Sequence, residues 1–180
     1  MITLTFYGGA QDVTGSKHLI TTDSGTKILL DCGMFQGRGA TTAKKNQEFG
    51  FEASSIHYLI LSHAHIDHCG LIPKLVKEGF AGQIFCTPPT IPFAKLILED
   101  SAGIQHTESE NIDGASKALY NLEDVSRSLE LFVPVPYNLE YEIEEGVNLT
   151  FTDAGHILGS AVVNLNLKIK MKLFVPVFWR

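Results

Sequence analysis

A strongly apolar segment that runs directly into a cluster of polar, metal-capable side chains restricts the fold more than any other part of this sequence. Residues 56–61 read Ile-His-Tyr-Leu-Ile-Leu, and this β-branched and aromatic content predicts a buried strand. Residues 63–68 then read His-Ala-His-Ile-Asp-His, and apolar residues recur at helical spacing from Leu71 up to Gly79. The chain therefore predicts a strand, a polar loop and a helix in that order, which favours a mixed α/β fold.

The rest of the chain alternates between strand-like and helix-like patterns. Strands are predicted at residues 3–7, 17–22, 27–31, 83–86, 147–152 and 161–170. Helices are predicted over residues 91–111 and, from the capping pattern that begins at Asn121, over residues 121–132. The acidic run 140–145 is interpreted as a solvated turn. Because no repeat or linker divides the chain, residues 1–180 are expected to form one domain.

Composition excludes several classes of protein. The 180 residues are 44% hydrophobic and 19% charged, which is a globular balance. A formal net charge of -6 means that any bound polyanion must be held by a local cation. Three cysteines form no disulfide pattern and predict a reducing, cytoplasmic location. No signal peptide and no apolar run of ~18–20 residues is present in this sequence, so we expect no membrane insertion.

The histidine cluster is interpreted as a metal site. In an extended loop His63 and His65 point to one side, whereas Asp67 and His68 at the following turn can point elsewhere, so one segment could serve two metal ions. The alternative is a solvated turn, but packing alone rarely places such residues behind an apolar strand. His156 lies between glycines in a second loop, and beside the first cluster it is interpreted as a ligand from a distant element.

Other chemistry-bearing residues are interpreted as structural. His18 and His57 fall within predicted strands and His106 within a predicted helix. Cys69 is interpreted as a small buried side chain. Two lysines of the helix after the ligand loop, Lys74 and Lys77, could contact phosphate, but they are interpreted as ordinary lysines on an exposed helix face.

Four further segments accompany the histidine cluster: residues 13–16 (Val-Thr-Gly-Ser), 30–37 (Leu-Asp-Cys-Gly-Met-Phe-Gln-Gly), 68–73 (His-Cys-Gly-Leu-Ile-Pro) and 154–161 (Ala-Gly-His-Ile-Leu-Gly-Ser-Ala). Together with the His-x-His-x-Asp-His spacing they resemble the metallo-β-lactamase-fold hydrolases, and within them the β-CASP branch of RNA-processing nucleases and exonucleases. The resemblance extends to about residue 170. It implies an α+β sandwich of four αββα layers that is incomplete at the C-terminus, with residues 1–180 as a partial domain and no β-CASP domain.

The resemblance also implies roles for individual residues. His63, His65 and His156 would hold one zinc ion, and Asp67 and His68 would begin a second site, with Mn²⁺ as an alternative metal. Asp67, His68 and Asp31 are assigned to catalysis, with Asp31 orienting the ligand loop; its alternative role is a plain turn former at a strand end. The implied reaction is hydrolysis of single-stranded RNA by a zinc-bound hydroxide.

The sequence departs from this family towards its end. Such nucleases carry a metal-bridging Asp downstream of the His156 equivalent, but residues 173–180 contain no carboxylate and Val177 stands near the expected place. Later motifs with a zinc-binding His and a general-acid His are not in this sequence either. We therefore expect the 180-residue chain to be almost inactive. A shifted reading frame or early stop near residue 170 is our hypothesis, and unfinished sheet edges favour self-association.

Three functions stay open at this point. The first is a metal-dependent RNA nuclease, which the motifs around Asp31 and His156 favour. The second is a hydrolase of small thioesters or lactones that uses the same first metal motif. The third is a catalytically dead fragment that binds metal, which the missing bridging Asp favours. Endonuclease or exonuclease action, RNA sequence preference and oligomeric state are not determined by the sequence.

Overall fold

The computed structural model describes residues 1–37, 39–111, 118–168 and 172–175, which form two β-sheets and a group of helices. The strands are β1 (Thr3–Gly8), β2 (Lys17–Thr21), β3 (Lys27–Leu30), β4 (Tyr58–Ile60), β5 (Gln83–Cys86), β6 (Phe132–Pro134), β7 (Tyr141–Glu144), β8 (Val147–Asp153), β9 (Ala161–Leu167) and β10 (Lys172–Val175). The α-helices are α1 (Ala40–Gln47), α2 (Ile66–Cys69), α3 (Ile72–Lys77), α4 (Thr90–Asn111) and α5 (Leu122–Leu129). A short 3₁₀ turn covers Ala53–Ser55.

The larger sheet contains six strands in the order β1-β2-β3-β4-β5-β6. The three predicted strands β1, β2 and β3 form an antiparallel meander, and β3 to β6 run parallel to one another. Consecutive parallel strands need crossover connections, and the helices after β3, β4 and β5 supply them. As a result, the loops that follow β3, β4 and β5 leave the same edge of the sheet.

Alternating side chains of the larger sheet enter two separate cores. In β3, Ile28 and Leu30 pack against the second sheet, while Leu29 between them packs towards the helices. This follows from the two-residue period of a strand, and it requires the almost continuously apolar sequence that parallel strands show. The predicted amphipathic helix α3 buries Leu75 and Val76 in the helix-side core.

The second sheet is antiparallel, in the order β10-β9-β8-β7. Its inner residues, such as Leu149, Phe151 and Val163, pack against the larger sheet. The described residues thus form a helix layer, a six-stranded sheet and a four-stranded sheet, which are three of the four predicted αββα layers. The predicted mixed α/β class is confirmed. Within the described ranges, no helix is both long enough and apolar enough to cross a membrane.

The helix predicted over residues 121–132 is shorter than expected. Its capping box is present, with the Asn121 side chain accepting from the Asp124 amide, but the helix ends at Leu129. Phe132 begins strand β6, which pairs in parallel with β5. The prediction was wrong at this end because β6 is fixed by the open edge of β5, a partner distant in the sequence. Pro134 is tolerated because β6 is an edge strand.

The interpretation of residues 140–145 as a solvated turn was also wrong. Tyr141–Glu144 forms β7, which pairs with β8 and packs Tyr141 and Ile143 against the core between the sheets. Glu142 lies between these apolar residues and faces away from the core, whereas a β-bulge after it pairs Glu144 with the buried Val147. Residues 169–170 of the predicted last strand, and Pro176 and Val177, lie outside the described residues.

Candidate metal centre

Three segments of the chain meet at the edge of the larger sheet where the parallel strands end. Asp31 follows β3, and Ser62 and His63 follow β4. The loop between β8 and β9 joins them because the Ala161 amide donates to the Ser62 carbonyl at 2.9 Å. This contact brings His156 beside a histidine pair that lies 91 and 93 residues earlier in the chain, His65 and His63.

The nitrogens of His63, His65 and His156 converge on one point. The Nε2 atom of His63 lies 3.2 Å from Nδ1 of His65, which lies 3.1 Å from Nε2 of His156. Within the described part of the chain this is the one group of three or more such side chains able to hold a metal ion together. Two nitrogens bound at about 2.0–2.1 Å to one tetrahedral zinc lie about 3.3–3.4 Å apart, so the spacing fits a bound ion.

Hydrogen bonds among these three imidazoles do not by themselves explain why their nitrogens lie so close together. Nδ1 of His65 faces a nitrogen of His63 and a nitrogen of His156 at once. A neutral imidazole nitrogen carries either one hydrogen or one in-plane lone pair, so it cannot form two well-directed bonds there. A cation between the three nitrogens would accept all three lone pairs.

The surroundings of His63 and His65 keep these two imidazoles in the form that binds metals. His63 is only 2% exposed, and burial, followed by the proximity of His68, lowers the pKa of His63 to about 3. Burial and His156 also lower the pKa of His65. Neutral imidazole is the metal-binding form. Since His63 is buried, His65 half-buried and His156 exposed, the cluster opens to solvent on the His156 side.

Asp67 and His68 lie beside this cluster at the start of the short helix α2. Both are buried, at 7% and 6% exposure, and the rings of His63 and His68 lie 4.1 Å apart. Nδ1 of His68 is 2.7 Å from a carboxylate oxygen of Asp31, so in neutral His68 this nitrogen carries the hydrogen and the lone pair is on Nε2. That Nε2 atom lies 3.7 Å from Oδ2 of Asp67, so both atoms could bind a second ion.

Asp31 connects the two halves of the centre. Its carboxylate accepts hydrogen bonds from the Ser62 amide at 2.8 Å and from the Ser62 hydroxyl at 2.9 Å, in addition to the one from His68. The Ser62 hydroxyl also lies 3.0 Å from Nδ1 of His63. Asp31 adopts a left-handed backbone conformation with φ of 57°, which turns its side chain back towards these partners. Ser62 was not singled out in the sequence.

The protonation of Asp31 and His68 is coupled. Burial opposes the ionisation of Asp31, but the charge of His68 and its hydrogen bond hold the pKa of that carboxyl below its usual value. Burial would likewise lower the pKa of His68, but the attraction and hydrogen bond of Asp31 raise it. In the metal-free protein this pair therefore behaves as a buried ion pair.

The backbone of the ligand-bearing turn is fixed by hydrogen bonds from two other segments. The amides of Ser16, Cys32 and Met34 donate to the carbonyls of Asp67, His68 and Ile66, at 2.9, 2.8 and 3.0 Å. These amides belong to the segments 13–16 and 30–37 that carry the sequence resemblance. Those motifs therefore shape the metal centre through the backbone, which explains why they surround it without supplying more ligands.

Lys17 supports the same region and was missed by the sequence analysis. It is fully buried, with Nζ 2.9 Å from the Gly15 carbonyl and 2.7 Å from the Gly33 carbonyl. Burial lowers its pKa to about 8. The ammonium group lies 4.2 Å from the Phe35 ring centroid. Lys17 thus connects the two segments that hold the ligand turn, and no sequence pattern signals a buried lysine at the start of an apolar strand.

The remaining candidates lie outside the centre. His57 accepts a hydrogen bond from the Lys27 amide, and His106 is exposed on α4. Cys69 is fully buried, and burial raises the pKa of its thiol, in agreement with a packing role. Lys74 is not on an exposed face as expected: it is 4% exposed, with Nζ 2.6 Å from Glu78 and 3.9 Å from the Phe49 ring centroid.

Comparison with known proteins places this centre in a family. The sequence profile of the Metallo-beta-lactamase superfamily matches residues 14–153, which include every candidate ligand except His156. A structural neighbour is the metallo-beta-lactamase fold protein YhfI from Bacillus subtilis, with a TM-score of 0.58 and 16% sequence identity. The match covers 98% of this chain and 61% of that protein, and it shows the shared fold.

Three proteins found by sequence comparison share a higher sequence identity with this chain than the structural neighbour does. A ribonuclease of Thermus thermophilus is 36% identical over 157 residues, which cover 87% of this chain and 33% of that protein. The transcription termination factor FttA of Methanocaldococcus jannaschii is 32% identical over 169 residues, covering 92% and 25%. An RNase J-like protein of the same organism is 32% identical over 174 residues, covering 97% and 36%. The chain spans between a quarter and about a third of the length of these relatives. It belongs to the metallo-beta-lactamase superfamily.

Proposed function

We propose that this chain carries the metal-binding part of a zinc-dependent ribonuclease. The observation that supports the metal is the convergence of His63, His65 and His156 on one point. Support for the substrate class comes from the relatives, which include a ribonuclease and an RNase J-like protein. Single-stranded RNA is the proposed substrate and partner.

In this proposal each residue has a defined task. His63, His65 and His156 hold the first ion, and Asp67 with Nε2 of His68 contributes two ligands to the second. Asp31 keeps the hydrogen of His68 on Nδ1, so that Nε2 can bind metal. The ions would supply an activated water and stabilise the negative charge that develops on the phosphate.

Zinc is the proposed native metal because of the type of ligand. Three imidazole nitrogens at tetrahedral spacing suit zinc, whereas Mn²⁺ prefers carboxylate and water oxygens. The charge of the metal ions would also attract RNA to a chain whose own net charge is -6. A metal centre supplies concentrated positive charge at the scissile phosphate even where the protein as a whole repels RNA.

The test joins this chain to the part of a relative that it does not match. In a chimera, this chain replaces the aligned 157-residue segment of the Thermus thermophilus ribonuclease. We expect the zinc-loaded chimera to cleave labelled single-stranded RNA and to leave thioester and lactone substrates intact. A His65→Ala change should abolish cleavage, whereas His106→Ala on the exposed face of α4 should not.

The competing functions predict different results in the same assay. Cleavage of a thioester or lactone instead of RNA would support the small-molecule hydrolase. Full zinc binding by a folded chimera without turnover on any substrate would support a chain that binds metal without catalysis. For the unjoined 180-residue chain we expect RNA cleavage close to background, because only two ligands of the second ion are seen in its described residues.

A further inference from the structure

The loop that carries His156 is held at its far end by two buried threonines from the larger sheet. The hydroxyl of Thr87 lies 2.6 Å from the Gly159 carbonyl oxygen, and the hydroxyl of Thr90 lies 2.9 Å from the same atom. Both threonines are fully buried. Thr87 follows the last residue of β5 and Thr90 begins α4, so the contact connects the larger sheet to a loop of the second sheet.

The two hydroxyls form a redundant clamp. The two hydroxyl oxygens also lie 2.9 Å from each other. The two hydroxyl hydrogens therefore have to serve three oxygen–oxygen contacts. Either both hydroxyls donate to Gly159, or one donates to the other, which then donates to Gly159. In both of these arrangements the carbonyl keeps at least one hydrogen bond, so the remaining hydroxyl can still donate to it when the other is lost.

The absence of a side chain at Gly159 allows the loop to approach Thr90 closely. Its φ of 88° lies in the left-handed region, and a Cβ atom added there would lie 2.6 Å from the Thr90 hydroxyl and 2.8 Å from the Thr90 amide nitrogen. A side chain would therefore force the loop away from the threonines. Gly155 in the same loop also has a positive φ, of 67°, but a Cβ atom there would meet nothing within 4 Å.

The loop between these anchors is short and internally bonded. The Ser160 hydroxyl accepts from the amides of His156 and Ile157, each at 3.2 Å. Tyr137 donates to the Ser160 carbonyl at 2.8 Å. A displacement at Gly159 would thus be transmitted to His156, which lies three residues away.

We propose that Thr87 and Thr90 are positioning residues that place His156 at bonding distance from the metal held by His63 and His65. His63 and His65 follow strand β4 of the larger sheet, and His156 lies in the loop between β8 and β9 of the second sheet, so their spacing depends on contacts between the two sheets. The clamp acts at the far end of the loop together with the hydrogen bond from the Ala161 amide to the Ser62 carbonyl. This inference rests on the metal-binding part of the proposed function.

The test removes both hydroxyls without changing side-chain shape. In a Thr87→Val, Thr90→Val double variant, we expect zinc affinity to fall by ~10–100-fold, which is the usual effect of losing groups that orient a ligand. The Co²⁺-substituted protein should show a changed visible absorption spectrum. In metal-free protein, hydrogen exchange at the His156, Ile157 and Ser160 amides should become faster.

Two controls separate the hydroxyls from general packing. The Thr87→Ser, Thr90→Ser double variant keeps both hydroxyls and should bind zinc almost as tightly as the original chain. Thr22→Val removes a hydroxyl that is also buried, at 7% exposure, but which lies at the opposite edge of the sheet. It should change neither zinc affinity nor exchange in the His156 loop.

Several outcomes would overturn the proposal. One is that zinc affinity and hydrogen exchange in the His156 loop are unchanged in the valine variant. Another is that the serine variant loses as much zinc affinity as the valine variant.

If the valine variant does not fold, Gly159→Ala replaces it. Equal zinc affinity in Gly159→Ala and the matched Gly155→Ala would then refute the clamp. If the unaltered chain binds no zinc, the proposed function fails, and the exchange measurement on metal-free protein still decides whether the threonines hold the loop.

Discussion

Nδ1 of His68 lies 2.7 Å from Oδ2 of Asp31, although 37 residues separate them in the sequence. The two side chains are almost completely buried, and the same carboxylate also binds the Ser62 amide and hydroxyl. In neutral His68 this contact places the hydrogen on Nδ1 and leaves Nε2 as the nitrogen that can bind a metal. The role of Asp31 as a plain turn former does not account for these contacts.

Replacing Asp31 by Asn should weaken metal binding at the second position. The amide group would donate towards Nδ1 of His68 and so favour a hydrogen on Nε2, where the metal needs a lone pair. We expect affinity for a second zinc to fall by ~10–100-fold, measured by calorimetric titration. Asp12→Asn, an equivalent change at an exposed carboxylate paired with Lys45, is the control and should have no effect. Equal second-site affinity in Asp31→Asn would contradict this role.

The same pair predicts how the stability of metal-free protein depends on pH. The pKa of His68 is raised above 6.5, so its contribution is complete below pH 6.5 and is lost as the pH rises through the folded-state value. The pKa of Asp31 is lowered below 3.8, so its contribution is complete above pH 3.8 and is lost as the pH falls through the folded-state value. The stabilisation should therefore be greatest between these limits.

Urea unfolding of the metal-free chain and of Asp31→Asn checks this dependence. From pH 5.5 upwards, the difference in their free energies of unfolding should decrease as the pH rises through the folded-state pKa of His68. A difference that is constant across this range would show that the buried pair is not charged.

Gly33 should not tolerate a side chain. A Cβ atom there would lie 1.6 Å from the Asp67 carbonyl oxygen and 2.1 Å from its carbon, which are backbone atoms of the ligand turn. We expect Gly33→Ala to destabilise the protein by more than ~4 kcal/mol or to displace the turn and abolish zinc binding. Thermal unfolding and zinc titration measure the two effects. Gly103→Ala in helix α4, where a Cβ meets nothing, should instead stabilise the protein by up to ~1 kcal/mol.

Replacing the buried Lys17 by Met should reduce stability despite the similar shape of the side chain. Loss of Nζ leaves the carbonyls of Gly15 and Gly33 without their buried donor, at a cost of ~1–3 kcal/mol. Lys77→Met is the matched control, because Lys77 also donates to a carbonyl, that of Leu119, but is exposed. Its effect should stay within ~0.5 kcal/mol. Equal unfolding free energies for the two variants would show that Lys17 does not hold these segments.

Local patterns in the sequence predicted most strands and the candidate ligands, because these depend on nearby residues. The strand-loop-helix pattern correctly placed His63 and His65 beyond a buried strand, and the glycines around His156 correctly indicated a second loop. Features that depend on distant partners could not be predicted. Strand β6 exists because β5 has an open edge, and Lys17 is buried because Gly33 brings a carbonyl to it. The Thr87 and Thr90 clamp likewise requires the second sheet to be in place.

Zinc content is the most direct test of the metal centre. After dialysis of the 180-residue chain against a weak chelator, elemental analysis should find one tightly bound zinc per chain, held by His63, His65 and His156. The His63→Ala, His65→Ala double variant and the single His156→Ala variant should each lose it, whereas His106→Ala should retain it. Two stoichiometric metals in the original chain, or full retention of zinc by the His63→Ala, His65→Ala variant, would contradict this assignment.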